Sequence, residues 1–185
     1  MSTVVSSPDA GLAPALRRLY FVRFGFAVVW AVLLVVTGPG LGPARITLLV
    51  LYPLFDVAAA VVDARSSRST GPARGLYLNM AVSVLAGVGL AFAATTDVAA
   101  VLRVWGAWAI VSGLIQLFVG FNRRALGGQW PMMLSGGIST IAGTSFILQA
   151  GLPNASLVNV AGYATLGALF FLVSALRLGR TAGNN

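Results

Sequence analysis

The chain has no cysteine, no histidine, no lysine and no glutamate. Without cysteine it can form no disulfide, no thiolate metal site and no thiol nucleophile. Without histidine, lysine or glutamate it has no general base tuned near neutrality and no standard nucleophile–base pair. The acids that remain, Asp9, Asp56, Asp63 and Asp97, are too scattered to ligate a metal. The glycine-rich runs GPGLGPAR and GVGLAF lack the strand–turn–helix context and the lysine that a phosphate loop needs. The sequence therefore predicts no enzyme, no metal and no cofactor. Charge of any kind is scarce, at 9% of residues, where a soluble domain carries about 25%.

What fills the chain instead is apolar: 58% of its 185 residues are hydrophobic and the mean hydropathy is +0.90. Such a chain cannot cover its own surface with polar groups, which makes it an integral membrane protein. A spanning helix needs about 20 mostly apolar residues, and six windows qualify: Leu16–Thr37, Ala44–Val62, Leu76–Ala94, Ala99–Phe121, Trp130–Gln149 and Leu157–Leu176. They are parted by GPGLGP, SSRSTGPARG, TTD, NRRALGGQ and AGLPNA. These short connections make each helix antiparallel to the next. Five spans are the alternative, should the third window be only partly inserted. The opening MSTVVSSPDAGLAPA has no basic segment ahead of an apolar core, so it reads as a flexible cytoplasmic tail over residues 1–15 rather than a signal peptide. Residues 181–185 read as a frayed end.

All twelve cations are arginine, and the net charge is +8. Ten of them (Arg17, Arg18, Arg23, Arg65, Arg68, Arg74, Arg123, Arg124, Arg177 and Arg180) fall at the N-terminus, the second and fourth loops and the C-terminus. Only Arg45 and Arg103 fall toward the other side. This bias places both termini in the cytoplasm, and it accounts for the positive charge without nucleic acid.

An internal repeat organises the windows. SVLAGVGL at Ser83 and STIAGTSF at Ser139 are offset by 56 residues, and the same offset relates Arg68, Arg124 and Arg180, each expected just beyond an even-numbered helix. It also sets Tyr52 over Trp108 and Asp56 over Ser112; one gap then aligns Tyr163 and Gly167. The fold class that follows is all-α: a polytopic helical bundle of six transmembrane helices, built as three parallel helical hairpins of about 56 residues. In the odd helices the offset aligns three stripes of four-residue spacing. They are Arg23, Ala27 and Ala31; Asn79, Ser83 and Gly87; and Ser135, Ser139 and Gly143. Small residues at that spacing let membrane helices approach closely, so helices 1, 3 and 5 are expected to pack through Ala27, Ala31, Ser83, Gly87, Ser139 and Gly143, with even helices outside or between them.

Intramembrane ionisable residues are functional candidates. Asp56 precedes the cytoplasmic end of helix 2 by about seven residues and Arg23 follows the start of helix 1 by seven. Both should therefore sit roughly 10 Å inside one membrane face, where pairing lowers the cost of burying two charges. Gln116 reaches the same depth, and Asn79 and Ser135 occupy the positions equivalent to Arg23. Together Arg23, Asp56, Asn79, Gln116 and Ser135 predict a polar cluster in an apolar bundle. It reads either as a structural ion pair or as a proton-responsive or substrate-binding site. Pro53 should kink helix 2 and free the carbonyl at position 49. Trp130, Trp105 and Tyr77 are expected at the headgroup level, with Trp30 and Trp108 packed inside and Arg103 beside Asp97.

The runs RFGFAVVWAVLLVVTG, LLVLYPLFDVAAAV, RVWGAWAIVSGLIQLFVGFNRR and GGQWPMMLSGGISTIAGTSFI carry a resemblance over about residues 16–180. They resemble the HdeD family of bacterial short-repeat membrane proteins. The chain departs from that family in helix 2, with FDVAAA where a glycine is usual after the aspartate. The resemblance implies a six-helix inner-membrane protein, with a link to acid resistance through the family's founding member. The expected role is non-enzymatic: helix packing and binding of membrane lipids or partner helices, including a homo-oligomer, in envelope or acid stress. The alternative is a small transporter or channel that uses the Arg–Asp cluster.

Overall fold

A helix in hydrocarbon satisfies its own backbone hydrogen bonds, and all six apolar windows take that solution. The computed structural model describes residues 9–66, 74–122, 124 and 130–181. Its elements are α1 (Asp9–Val36), α2 (Pro43–Ser66), α3 (Arg74–Ala93), α4 (Val98–Asn122), α5 (Trp130–Gln149) and α6 (Val158–Thr181), with no strand among the described residues. All six are long and apolar enough to cross a membrane, and α3, with a mean hydropathy of 1.8, is no less apolar than α5 at 1.3.

The boundaries differ from the sequence reading mainly at the ends. α1 begins at Asp9, so residues 9–15 are helical and lead into the span, which starts at Pro14. Pro14 lies inside α1, beyond the first turn, where it has no amide to donate to the carbonyl four residues earlier. α6 runs to Thr181, which puts Arg180 inside the helix rather than beyond it. Residues 1–8, 182–185 and Arg68 lie outside the described residues.

The turns have identifiable chemistry. α1 stops where Gly38 takes φ of 80°, a left-handed conformation that a side chain would strain, and Pro39 then prevents resumption. Arg45, only 3% exposed, donates to the Leu34 carbonyl at 3.1 Å and so caps the negative end of α1. Asp97 caps α4 by accepting from the Ala100 amide at 2.6 Å, in place of the expected contact with Arg103.

The helices form a ring. Each touches its chain neighbours, and α6 returns to pack along α1. The most extensive contacts are α4 with α5, α1 with α6 and α2 with α3, whereas contacts inside each hairpin are smaller. Tight pairs therefore straddle hairpin boundaries. The three hairpin seams (α1/α2, α3/α4 and α5/α6) are the looser joints. The start of α1 and the end of α6 share one end of the ring, the terminus-bearing end, where a Cβ at Gly179 would lie 3.0 Å from the Arg17 side chain.

This arrangement corrects the expected packing of helices 1, 3 and 5 on one another. No odd helix packs extensively on another odd helix among the described residues; each lies between two even ones. The small stripes serve the adjacent even helix instead. Gly87 faces Pro53 and Leu54 of α2, and Gly143 faces the backbone of Gly106 on α4. Ala27 and Ala31 are buried, at 1% and 4% exposure. The α4–α5 contact is the closest. A Cβ at Gly143 would lie 2.5 Å from the Gly106 carbonyl oxygen, and one at Gly136 would lie 2.6 Å from that of Gly113. These two glycine pairs, seven residues apart on each helix, bring the backbones together over two turns.

In the half of the bundle remote from the termini, Trp30, Leu34, Leu49, Leu90, Val101 and Trp105 belong to one apolar core. Trp105 is fully buried and stacks on Trp30 with centroids 5.4 Å apart, contrary to the headgroup position expected for it. Trp130 and Tyr77 are exposed. α2 continues through the buried Pro53. The indole of Trp30 donates to the carbonyl of Leu48 at 2.6 Å, one residue before the carbonyl that Pro53 frees.

Candidate functional site

Depth along a helix decides which polar groups can meet. Asp56 stands nine residues inside Arg65, and Ser83 nine inside Arg74; at 1.5 Å per residue both lie about 13 Å from the terminus-bearing end. Arg23 reaches the same level on α1. The Arg23 Nη2 donates to Asp56 Oδ1 at 2.5 Å. The second carboxylate oxygen, Oδ2, accepts from Asn79 Nδ2 at 3.0 Å and from the Ser83 hydroxyl at 2.9 Å. Ser83 Oγ in turn accepts from Trp108 Nε1 at 3.1 Å. One carboxylate thus ties α1, α2 and α3, and through Ser83 it reaches α4.

The guanidinium is held on its other side as well. Its carbon lies 4.4 Å from the centroid of the Phe171 ring on α6, a cation–π contact that links the ion pair to the ring closure. Phe26 stacks on Phe55 at 3.7 Å, and Tyr52 packs between Trp30 and Trp108 at centroid distances of 4.5 and 6.1 Å. The polar cluster therefore has an aromatic lid toward the apolar core.

The repeat explains which partners recur. In the second and third hairpins the even-helix aromatic donates to the odd-helix serine: Trp108 to Ser83 at 3.1 Å, and Tyr163 to Ser139 at 2.8 Å. In the first hairpin the serine is replaced by Ala27, and the charged pair supplies the polar link across the seam. At the position of Asp56 the second hairpin has Ser112, whose hydroxyl is buried without a hydrogen-bond partner among the described residues.

Of the five residues expected in the cluster, Arg23, Asp56 and Asn79 come together. Gln116 and Ser135 do not: neither makes a side-chain hydrogen bond to a described residue. The third hairpin has no carboxylate for Ser135 to serve, because Gly167 stands where the first has Asp56. Gln116 lies one turn closer to the terminus-bearing end than Ser112. Two members were missed, Ser83 and Trp108. Ser83 was read as a packing residue, yet its position four residues after Asn79 puts both on one face of α3. Changing Ser83 to Ala should lower stability by about 2 kcal/mol, since it removes a donor to Asp56 and leaves the Trp108 indole without its acceptor. Unfolding of the solubilised protein measures this.

Six apolar helices closed into a ring around a small charged centre define a multi-pass integral membrane protein. Residues 80–148, from the middle of α3 through nearly all of α5, match the family model described as "Short repeat of unknown function (DUF308)". That is the family to which HdeD belongs. The matched segment spans the 56-residue offset, with the SVLAGVGL and STIAGTSF runs near its two ends. No curated protein and no solved structure gives a significant match to the chain.

Proposed function

We propose that the chain is a non-enzymatic membrane protein whose polar centre is a structural lock, and that it acts through its packed helices on lipid or on partner helices, second copies of itself included. The observation that carries this reading is the saturation of Asp56. Both carboxylate oxygens are engaged, by Arg23 on one and by Asn79 and Ser83 on the other. A transport site must exchange its ion or proton, and here three hydrogen bonds from two helices would have to break first. A buried polar group with every bond satisfied instead fixes the register of the helices it joins. The arginine bias supports an inner membrane with both termini in the cytoplasm. The resemblance to HdeD supports envelope or acid stress as the setting.

One observation favours the competing reading, a small transporter or channel: the Arg23 and Asp56 side chains remain 17% and 16% exposed, so the pair is not sealed. Proton flux separates the two. Wild-type protein in liposomes loaded with a pH-sensitive dye is expected to leak protons no faster than empty liposomes under an imposed gradient. Asp56→Asn protein should match it. Flux in the wild type that disappears in Asp56→Asn would replace the lock with a conduction site.

A further inference from the structure

The α3/α4 seam opens into a groove of about 550 Å³ at the terminus-bearing end, within the range of small-molecule sites. Its walls are Leu78 on α3 and Val111, Leu114 and Phe118 on α4, and its rim carries Arg74 and Asn122. Arg74 is the first residue of α3 and Asn122 the last of α4. Gly75 lets α3 lie close to α4 at the rim, because a Cβ there would meet the Val119 side chain at 2.8 Å.

Depth separates the two chemistries. Val111 lies eleven residues from Asn122, so the apolar wall reaches about 16 Å inward at 1.5 Å per residue. That is close to half of a hydrocarbon core about 30 Å thick, the length of one leaflet. At the rim, Arg74 is exposed and makes no ion pair among the described residues. A cation and an amide at the headgroup level, above an apolar slot one leaflet deep, complement a lipid whose phosphate carries uncompensated negative charge. A zwitterionic headgroup brings its own cation to Arg74 and fits less well. Positive charge alone does not mark the place. Arg124 is exposed too, but it lies over the Phe121 ring at 4.0 Å and donates to the Phe121 carbonyl.

We propose that the α3–α4 groove holds one anionic phospholipid, its phosphate on Arg74 and Asn122 and an acyl chain along Leu114 and Phe118. This deepens the lipid-binding part of the proposed function and does not depend on the lock at Asp56.

The test is native mass spectrometry of full-length protein from micelles containing equal phosphatidylglycerol and phosphatidylethanolamine. Wild type is expected to retain one phosphatidylglycerol per chain in preference to phosphatidylethanolamine. Arg74→Gln should reduce that retention about five-fold, in line with the roughly 1 kcal/mol that one arginine contributes near an anionic surface. Leu114→Trp, which fills the slot without touching the charge, should reduce retention of both lipids at this site, and Arg124→Gln should leave it unchanged. Equal retention of the two lipids by the wild type overturns the proposal. So does phosphatidylglycerol retention that survives both Arg74→Gln and Leu114→Trp, or a second copy of the chain cross-linked through Leu114. A proton flux at Asp56 would end the lock reading and leave this site standing.

Discussion

Replacing Asp56 by Ala should destabilise the solubilised protein by about 3 kcal/mol, because it leaves the Arg23 guanidinium in an apolar bundle without its anion. Asn79 and Ser83 lose their acceptor at the same time. Arg23→Met should cost a similar amount by stranding the carboxylate. The informative variant is the double one. A buried ion pair replaced on both sides by apolar residues is often near neutral, so Arg23→Met/Asp56→Leu should recover most of either single loss. Denaturant titration of the four proteins closes this cycle. Recovery by the double variant identifies a register-fixing pair whose members matter to each other. A double variant as unstable as the sum of the singles would falsify the idea that they act as a unit.

The second large effect belongs to the α4–α5 interface. Gly143→Ala puts a methyl group 2.5 Å from the Gly106 carbonyl oxygen and 2.9 Å from the Ile110 amide nitrogen. Both are backbone atoms, so no rotamer change relieves the clash and the helices must move apart. The expected cost is about 2 kcal/mol for Ala, in the middle of the range for overpacking, and loss of the folded protein for Leu. Gly162 on α6 is the matched control, with no atom within 4 Å of its Cβ position. Gly162→Ala should be neutral or slightly stabilising, since alanine is the better helix former. Thermal unfolding that ranks the two alanine variants alike would mean that the backbones are not in close approach.

These two sites differ in how far they could be read from the chain. The level of Arg23 and Asp56 in the membrane follows from counting residues at a fixed rise, and counting is enough to bring them together in neighbouring helices. Direction around the helix axis is another matter. A soluble helix announces its inner face by an apolar stripe, but these helices are apolar on every side. Nothing in their pattern shows that Gly106 and Gly113 face Gly143 and Gly136, or that Trp105 turns into the core. The same blindness placed Gln116 in the cluster on depth alone, and Ser135 on its repeat position alone. Identity of residue type did carry information where a side chain has only one use, as with the proline and glycine that end α1.

Closure of the ring by α6 has a consequence for biosynthesis. Helices enter the membrane in the order of synthesis, and domains assemble N-terminal parts first. α1 precedes the other five helices, yet its most extensive partner, α6, is the last of the six to be made. Until then the Arg23 side chain lacks the Phe171 ring that completes its surroundings. A chain stalled or truncated before α6 would display an unfinished, charged helix face to the bilayer.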